Sequence, residues 1–235
     1  MVKIKLLALA IAIVFLTTPI VVLQATSVHP PEPAVTLPIR VACVGDSITQ
    51  ITKYPADLQT MLGPNFTVGN FGVSGSTVSL STYKPYMNQP QFQEAETFQP
   101  DVVVIMLGTN DAHTDLQQYI GTFDTDYNAL VDSFENLTTN PQVWVVESPP
   151  VYNNTLGIDS SFFSDTVIPH IQNVATQQNL PTIDVYDAFG NHSDYTGDGI
   201  HPNDEGAALI ASQVYDSIDL IDGSGSTTIN FDNSS

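Results

Sequence analysis

Short, nearly continuous apolar runs separated by helical stripes constrain this chain more than any other feature. Four runs, Ile39–Val44, Val102–Leu107, Val143–Val146 and Ile183–Tyr186, are rich in Val and Ile, and a weaker one spans Phe66–Phe71. A strand with one face in water alternates apolar and polar residues, whereas a strand covered on both faces reads as a continuous run. Between the runs the period changes. Ile120, Phe123, Tyr127, Leu130 and Phe134 are spaced 3, 4, 3 and 4, one stripe of an amphipathic helix. Val167, Ile168, Ile171 and Val174 predict a second helix, and Ile210, Val214 and Ile218 a third near the C-terminus. Leu58, Met61 and Leu62 predict a short helix opened by Pro55. Strands alternating with helices predict an α/β fold, a parallel sheet with helices on both faces. Ligands of such sheets gather at the carboxyl ends of the strands. The residues just past each run are therefore the ones to inspect.

Four segments stand out there. Gly45-Asp46-Ser47-Ile48-Thr49 follows the first run, and Gly69-Asn70-Phe71-Gly72-Val73-Ser74-Gly75 ends the weak second one. Gly108-Thr109-Asn110-Asp111 follows the third, and Asp198-Gly199-Ile200-His201-Pro202-Asn203 precedes the last helical stripe. A serine hydroxyl is a poor nucleophile until a base takes its proton. Ser47 opens a loop after a strand, which exposes its oxygen, and His201 supplies a base. Asp198, three residues upstream with Gly199 between, can curl back to the other imidazole nitrogen, fixing the tautomer and steadying the imidazolium. A tetrahedral intermediate needs donors aimed at its oxyanion. The backbone N–H groups of Ser47 and Gly75 and the side-chain amide of Asn110 offer three, with glycine at 75 admitting a close backbone approach.

In these four blocks the chain resembles the SGNH hydrolases, also called GDSL-type esterases. The blocks are carried by Ser47, by Gly75 in Asn-x-Gly-x-x-Gly, by Asn110 in Gly-Thr-Asn-Asp, and by Asp198 with His201. The similarity extends over roughly residues 39–218, and the stretches Pro100–Asp111, Pro141–Val151 and Pro202–Gly206 resemble members built around acetyl-ester hydrolysis on carbohydrates. The resemblance implies a flavodoxin-like three-layer α/β/α fold with a five-stranded parallel sheet. It also implies a Ser47–His201–Asp198 triad, an oxyanion hole of Ser47, Gly75 and Asn110, and neither metal nor cofactor.

Each residue has a plainer reading. Ser47 can lead a helix, Gly75 can serve a turn, Asn110 can cap the next segment, and Asp198 with His201 can form a surface pair. Asp46 and Asp111 read as supports that brace their loops by hydrogen bonds. His192 competes as base but has no acid three residues upstream, His113 can line the pocket or a surface loop, and His170 falls within a helical pattern. The aromatic stretch 78–99 is either a substrate-facing loop or a cover packed beside the third strand. Lys84 within it offers a local counter-charge.

Composition narrows the partners. Five Lys and Arg against 25 Asp and Glu give a formal net charge of −20. That excludes a generic nucleic-acid binder and opposes docking on anionic lipid. One cysteine, Cys43, excludes a disulfide scaffold and reads as a buried strand residue. Residues 1–25, with Lys3 and Lys5 before an apolar run, read as a signal peptide removed near Ala25 or Ser27. No stable membrane association is expected after its removal. A single membrane anchor is the competing reading of that segment. Residues 26–37 are a Pro-rich lead-in, 38–221 the hydrolase domain and 222–235 a Gly/Ser/Asn-rich flexible tail. Sequons at Asn65, Asn136, Asn153, Asn191 and Asn233 fit secretion. The expected protein is a secreted serine esterase that hydrolyses short-chain, chiefly acetyl, esters on carbohydrates through an acyl-enzyme, its partner being a small-molecule or glycan ester. The rivals are a lysophospholipase or lipase-like esterase, and a carbohydrate-binding module that kept the fold without catalysis. Nothing in the pattern sets an oligomeric state.

Overall fold

Five parallel strands form one sheet in the order β2-β1-β3-β4-β5. The computed structural model describes residues 38–218. The expected signal segment, lead-in and C-terminal tail lie outside the described residues. β1 (Ile39–Gly45) leads into a short helix α1 (Ser47–Ile51) and then α2 (Tyr54–Leu62), which returns to β2 (Phe66–Gly72) at the sheet edge. α3 (Pro90–Thr97) crosses to β3 (Val102–Met106), and α4 (Phe123–Glu135) to β4 (Gln142–Glu147). A short turn α5 (Ser160–Phe162) runs through a π-helical segment, Phe163–Val167, into α6 (Ile168–Gln178). β5 (Thr182–Asp184), α7 (Val185–Phe189) and α8 (Asp204–Ser217) complete the fold. This is the expected flavodoxin-like order, reversing direction between β1 and β3.

Alternate side chains of each central strand enter different cores. Ala42, Val44, Val103, Ile105 and Val145 join Phe92, Tyr127, Phe134 and Ile171 on the side of α3, α4 and α6. Val41, Cys43, Val104 and Met106 join Tyr54, Leu58, Ile210 and Val214 on the side of α2 and α8. Burial on both faces explains why these strands lack alternation. Cys43 is buried as expected, and burial pushes its thiol up to about 12, which favours the neutral thiol over the thiolate at neutral pH.

Three expectations need correction. The last strand is Thr182–Asp184, not Ile183–Tyr186, because the Asp184 side chain accepts the Asp187 N–H at 2.8 Å and starts α7. Ile120 belongs to a 3-10 turn, Gln117–Thr122, and the α4 stripe begins at Phe123. Met61 is exposed, so Leu58 and Tyr54 anchor α2 inward. The stretch 78–99 is mainly a cover. Tyr86 and Phe92 are buried in an edge-to-face pair, while Tyr83 is 78% exposed. Among the described residues, no helix is long and apolar enough to cross a membrane.

Candidate active site

Strand register brings three of the four blocks to one level. Gly45 pairs with Gly72 of β2 on one side and Met106 of β3 on the other. The chain leaving each strand therefore starts from the same edge of the sheet.

Ser47 is the first residue of α1, not a loop residue. Asp46 is the helix cap, its Oδ1 accepting the Ile48 N–H at 2.9 Å and its carbonyl the Gln50 N–H at 3.0 Å. Ser47 is 8% exposed, and its Oγ lies 2.9 Å from His201 Nε2. His201 Nδ1 lies 2.6 Å from Asp198 Oδ2, and Asp198 Oδ1 accepts the N–H groups of Ile200 and His201 at 3.0 and 2.8 Å. Burial raises the Asp198 carboxyl, but the His201 ring and these two amides outweigh it and hold it below its usual range. With Asp198 ionised, Nδ1 carries the imidazole proton and Nε2 accepts from the Ser47 hydroxyl.

The loop bearing Asp198 and His201 is closed on itself. Thr196 bridges Pro202, and the carbonyl oxygen of Gly199, a residue at φ +87°, accepts the Tyr152 N–H at 2.8 Å. A Cβ at 199 would lie 2.4 Å from the Asn153 carbonyl, so only glycine fits. Asn203 then caps α8 through the Gly206 N–H at 3.0 Å.

The loop after β2 is stitched to α1. Asn70 Nδ2 donates to the Thr49 carbonyl at 2.8 Å, Val73 N–H to the Gly45 carbonyl at 2.9 Å, and Ser74 N–H to Gln50 Oε1 at 2.9 Å. Gly75 has φ +74° with open space where a Cβ would be. That positive φ is a backbone conformation that favours glycine. Asn110 sits on the 3-10 turn Thr109–Ala112, its Nδ2 3.2 Å from Asp46 Oδ2 and 3.0 Å from Ser76 O. One amide thus joins the cap beside Ser47 to the turn beside Gly75. An oxyanion at Ser47 would share one of its two hydrogens with these acceptors.

Asp46 and Asp111 both hold backbone amides of their loops. Asp111 accepts the Val78 and Ser79 N–H groups, both at 2.9 Å. Burial pushes Asp46 up to about 7 and Asp111 up to about 6, against the hydrogen bonds that favour their charged forms. The other histidines have their own partners. His170 pairs with Asp124 between α6 and α4, His192 pairs with Asp194 and stacks on Tyr195, and His113 Nδ1 accepts the Asp115 N–H. Gln50, Asn70 and the position of Lys84, whose Nζ donates to the Ser74 carbonyl at 2.7 Å, were not assigned from sequence. Their partners are backbone carbonyls and amides, which carry no sequence signal.

A serine hydroxyl, an imidazole oriented by a carboxylate, and donors on adjoining loops suit acyl transfer. Comparison with known proteins agrees. The profile of the GDSL-like lipase/acylhydrolase family matches residues 43–209. An acetylxylan esterase of Xylanibacter ruminicola is 34% identical over 199 residues, covering 74% of this chain and 42% of that protein. The chain thus spans less than half the length of that relative. Among solved structures, an acetyl xylan esterase superposes with TM-score 0.63 at 19% identity over 77% of this chain and 100% of its own. A carbohydrate acetylesterase from Sinorhizobium meliloti gives 0.62 at 19% identity over 77% and 98%. At such identity these two are likenesses of fold. With 71% of its length, 167 of 235 residues, inside the matched profile, the chain belongs to the GDSL-like lipase/acylhydrolase family.

Proposed function

We propose that this protein is a secreted serine carboxylic-ester hydrolase that removes short acyl groups, chiefly acetyl, from carbohydrates. The observation that carries the chemistry is the line of hydrogen bonds from Asp198 through His201 to Ser47, at 2.6 and 2.9 Å. Ser47 Oγ attacks the ester carbonyl as His201 Nε2 takes its proton. Asp198 holds the imidazolium that forms. The oxyanion is met by Ser47 N–H, Gly75 N–H and Asn110 Nδ2, each such donor being worth ~10²–10³ in rate. His201 returns the proton to the departing alcohol. Water, deprotonated by His201, then hydrolyses the acyl-enzyme.

The acetyl and carbohydrate parts of the reading draw on the printed name of the acetylxylan esterase relative. Secretion draws on residues 1–25, and an N-terminal sequence of the exported protein starting after Ala25 or near Ser27 supports it. Retention of that segment in a membrane fraction overturns it.

Hydrolysis of p-nitrophenyl acetate, butyrate and octanoate, with Ser47→Ala alongside, tests the whole. The expected result is fastest turnover of acetate and a loss of ~10⁴-fold or more in kcat for Ser47→Ala. Preference for octanoate transfers the substrate to lipid esters. A folded wild-type protein that turns over none of them, yet binds glycan unchanged in Ser47→Ala, identifies a binding module instead.

A further inference from the structure

The flip of a single peptide decides where the Gly75 N–H points. Val73 to Ser76 form a β-turn closed by the Ser76 N–H on the Val73 carbonyl at 3.0 Å. Gly75, the third residue, has φ +74°, whereas Ser74 is not among the positive-φ residues. That combination is the type II pattern. Types I and II differ by rotation of the central peptide, here the Ser74 C=O joined to the Gly75 N–H. Across a planar trans peptide these two groups point opposite ways. Holding the Ser74 carbonyl therefore aims the Gly75 N–H.

Lys84 holds it. Its Nζ donates to the Ser74 carbonyl oxygen at 2.7 Å, and the lysine is half-buried. The described residues contain three Lys and Arg. Arg40 meets Asp101 and Lys53 meets Asp204, while the Lys84 ammonium goes to this backbone carbonyl. With 25 acids in the chain, carboxylate partners are abundant, yet this cation is directed to a neutral acceptor beside the site. The loop that delivers it is itself pinned. Thr77 N–H donates to the Lys84 carbonyl at 3.1 Å and Tyr86 N–H to the Thr77 carbonyl at 2.9 Å, while Asp111 and Asp126 grip the loop amides of Val78, Ser79 and Leu80. A cation on the carbonyl also draws charge through the amide and strengthens its N–H as a donor.

We propose that Lys84 is a positioning residue for the oxyanion donor Gly75, holding the Ser74–Gly75 peptide in its type II orientation and polarising it. The proposal rests on the serine esterase reading above.

The test compares Lys84→Met and Lys84→Arg with wild type on p-nitrophenyl acetate, together with the ¹⁵N–¹H resonance of the Gly75 amide. Lys84→Met is expected to lower kcat by about tenfold to a hundredfold, below the ~10²–10³ for outright loss of a donor, with KM little changed. The Gly75 resonance is expected to move in Lys84→Met, and Lys84→Arg to restore most of both. An unchanged kcat in Lys84→Met overturns the proposal, as does an unmoved Gly75 amide. A rate loss that arginine does not rescue and that follows a lowered melting temperature assigns Lys84 to structure alone and also overturns it. If wild type itself does not turn over esters, the esterase reading fails, and the Gly75 resonance still decides whether Lys84 holds the peptide.

Discussion

Asp46 is the residue on which most of the local geometry converges. It caps α1, receives Asn110 Nδ2, and adjoins Ser47, all while 1% exposed. Burial raises its carboxyl from an ordinary 3.8 to about 7, with the Ile48 amide and the nearby His201 acting the other way. The folded protein therefore holds this proton more tightly than the unfolded chain does. The resulting stabilisation is complete below about pH 3.8 and is lost as pH rises through about 7. The melting temperature is expected to fall between pH 5 and pH 8, and to fall less steeply in Asp46→Asn. Self-repulsion among the many carboxylates lowers both proteins, so the difference in slope is the informative quantity. Parallel curves for the two proteins would show that Asp46 is already ionised at pH 5.

At the scale of elements, the junction of β1 and α1 is the tightest point near the site. A Cβ at Gly45 would lie 2.0 Å from Thr49 Oγ1 and 2.7 Å from the Met106 carbonyl. The threonine hydroxyl can rotate, but the β3 backbone cannot move without disturbing the sheet. Gly45→Ala is expected to cost ~1–3 kcal/mol, the range for overpacking a filled site. Because the displaced atoms belong to α1 and β3, kcat is expected to fall by more than the lost folded fraction explains. Gly121→Ala, where nothing lies within 4 Å, is the control and is expected to be near neutral. Urea unfolding and single-turnover kinetics on both variants check this. Equal behaviour of the two would mean the junction has slack. The elements themselves were legible where one period dominates. α4 showed its stripe because Phe123, Tyr127, Leu130 and Phe134 are all buried on one face. Hydrophobicity alone carries β5 past its end at Asp184, because Val185 is as apolar as Ile183. What ends the strand is the Asp184 side chain turning back on an amide, a local choice that hydrophobicity does not encode.

Across the whole molecule the dominant quantity is charge. A net charge of −20 sets a field that repels polyanions over a Debye length, about 10 Å at 0.1 M salt. At low salt, deacetylation of acetylated xylan is expected to exceed that of acetylated pectin, and added salt is expected to narrow the gap. A faster rate on pectin at low salt would count against a neutral glycan as substrate. Within that field the few cations stand out. Arg40 anchors the start of β1 to Asp101 and to the Phe98 carbonyl, Lys53 ties the start of α2 to α8, and Lys84 reaches the turn at Gly75.

The sequence alone determined the fold class, the strand order expected from the resemblance, and the types of residue at the strand ends. The fold class follows from local periodicity and the residue types from short motifs, whose information lies within a few residues, whereas the strand order is what the family resemblance implies. Asp198 and His201 were readable as a pair because only two residues separate them. The tertiary structure decided what depends on separations of tens of residues. It brought Ser47 Oγ to His201 Nε2 across 154 positions, and Asn110 to both Asp46 and Ser76. It showed that glycine at 75 answers a positive φ, and that the Lys84 ammonium reaches the Ser74 carbonyl. Backbone carbonyls are identical in every residue. Which of them a side chain finds is set by packing alone.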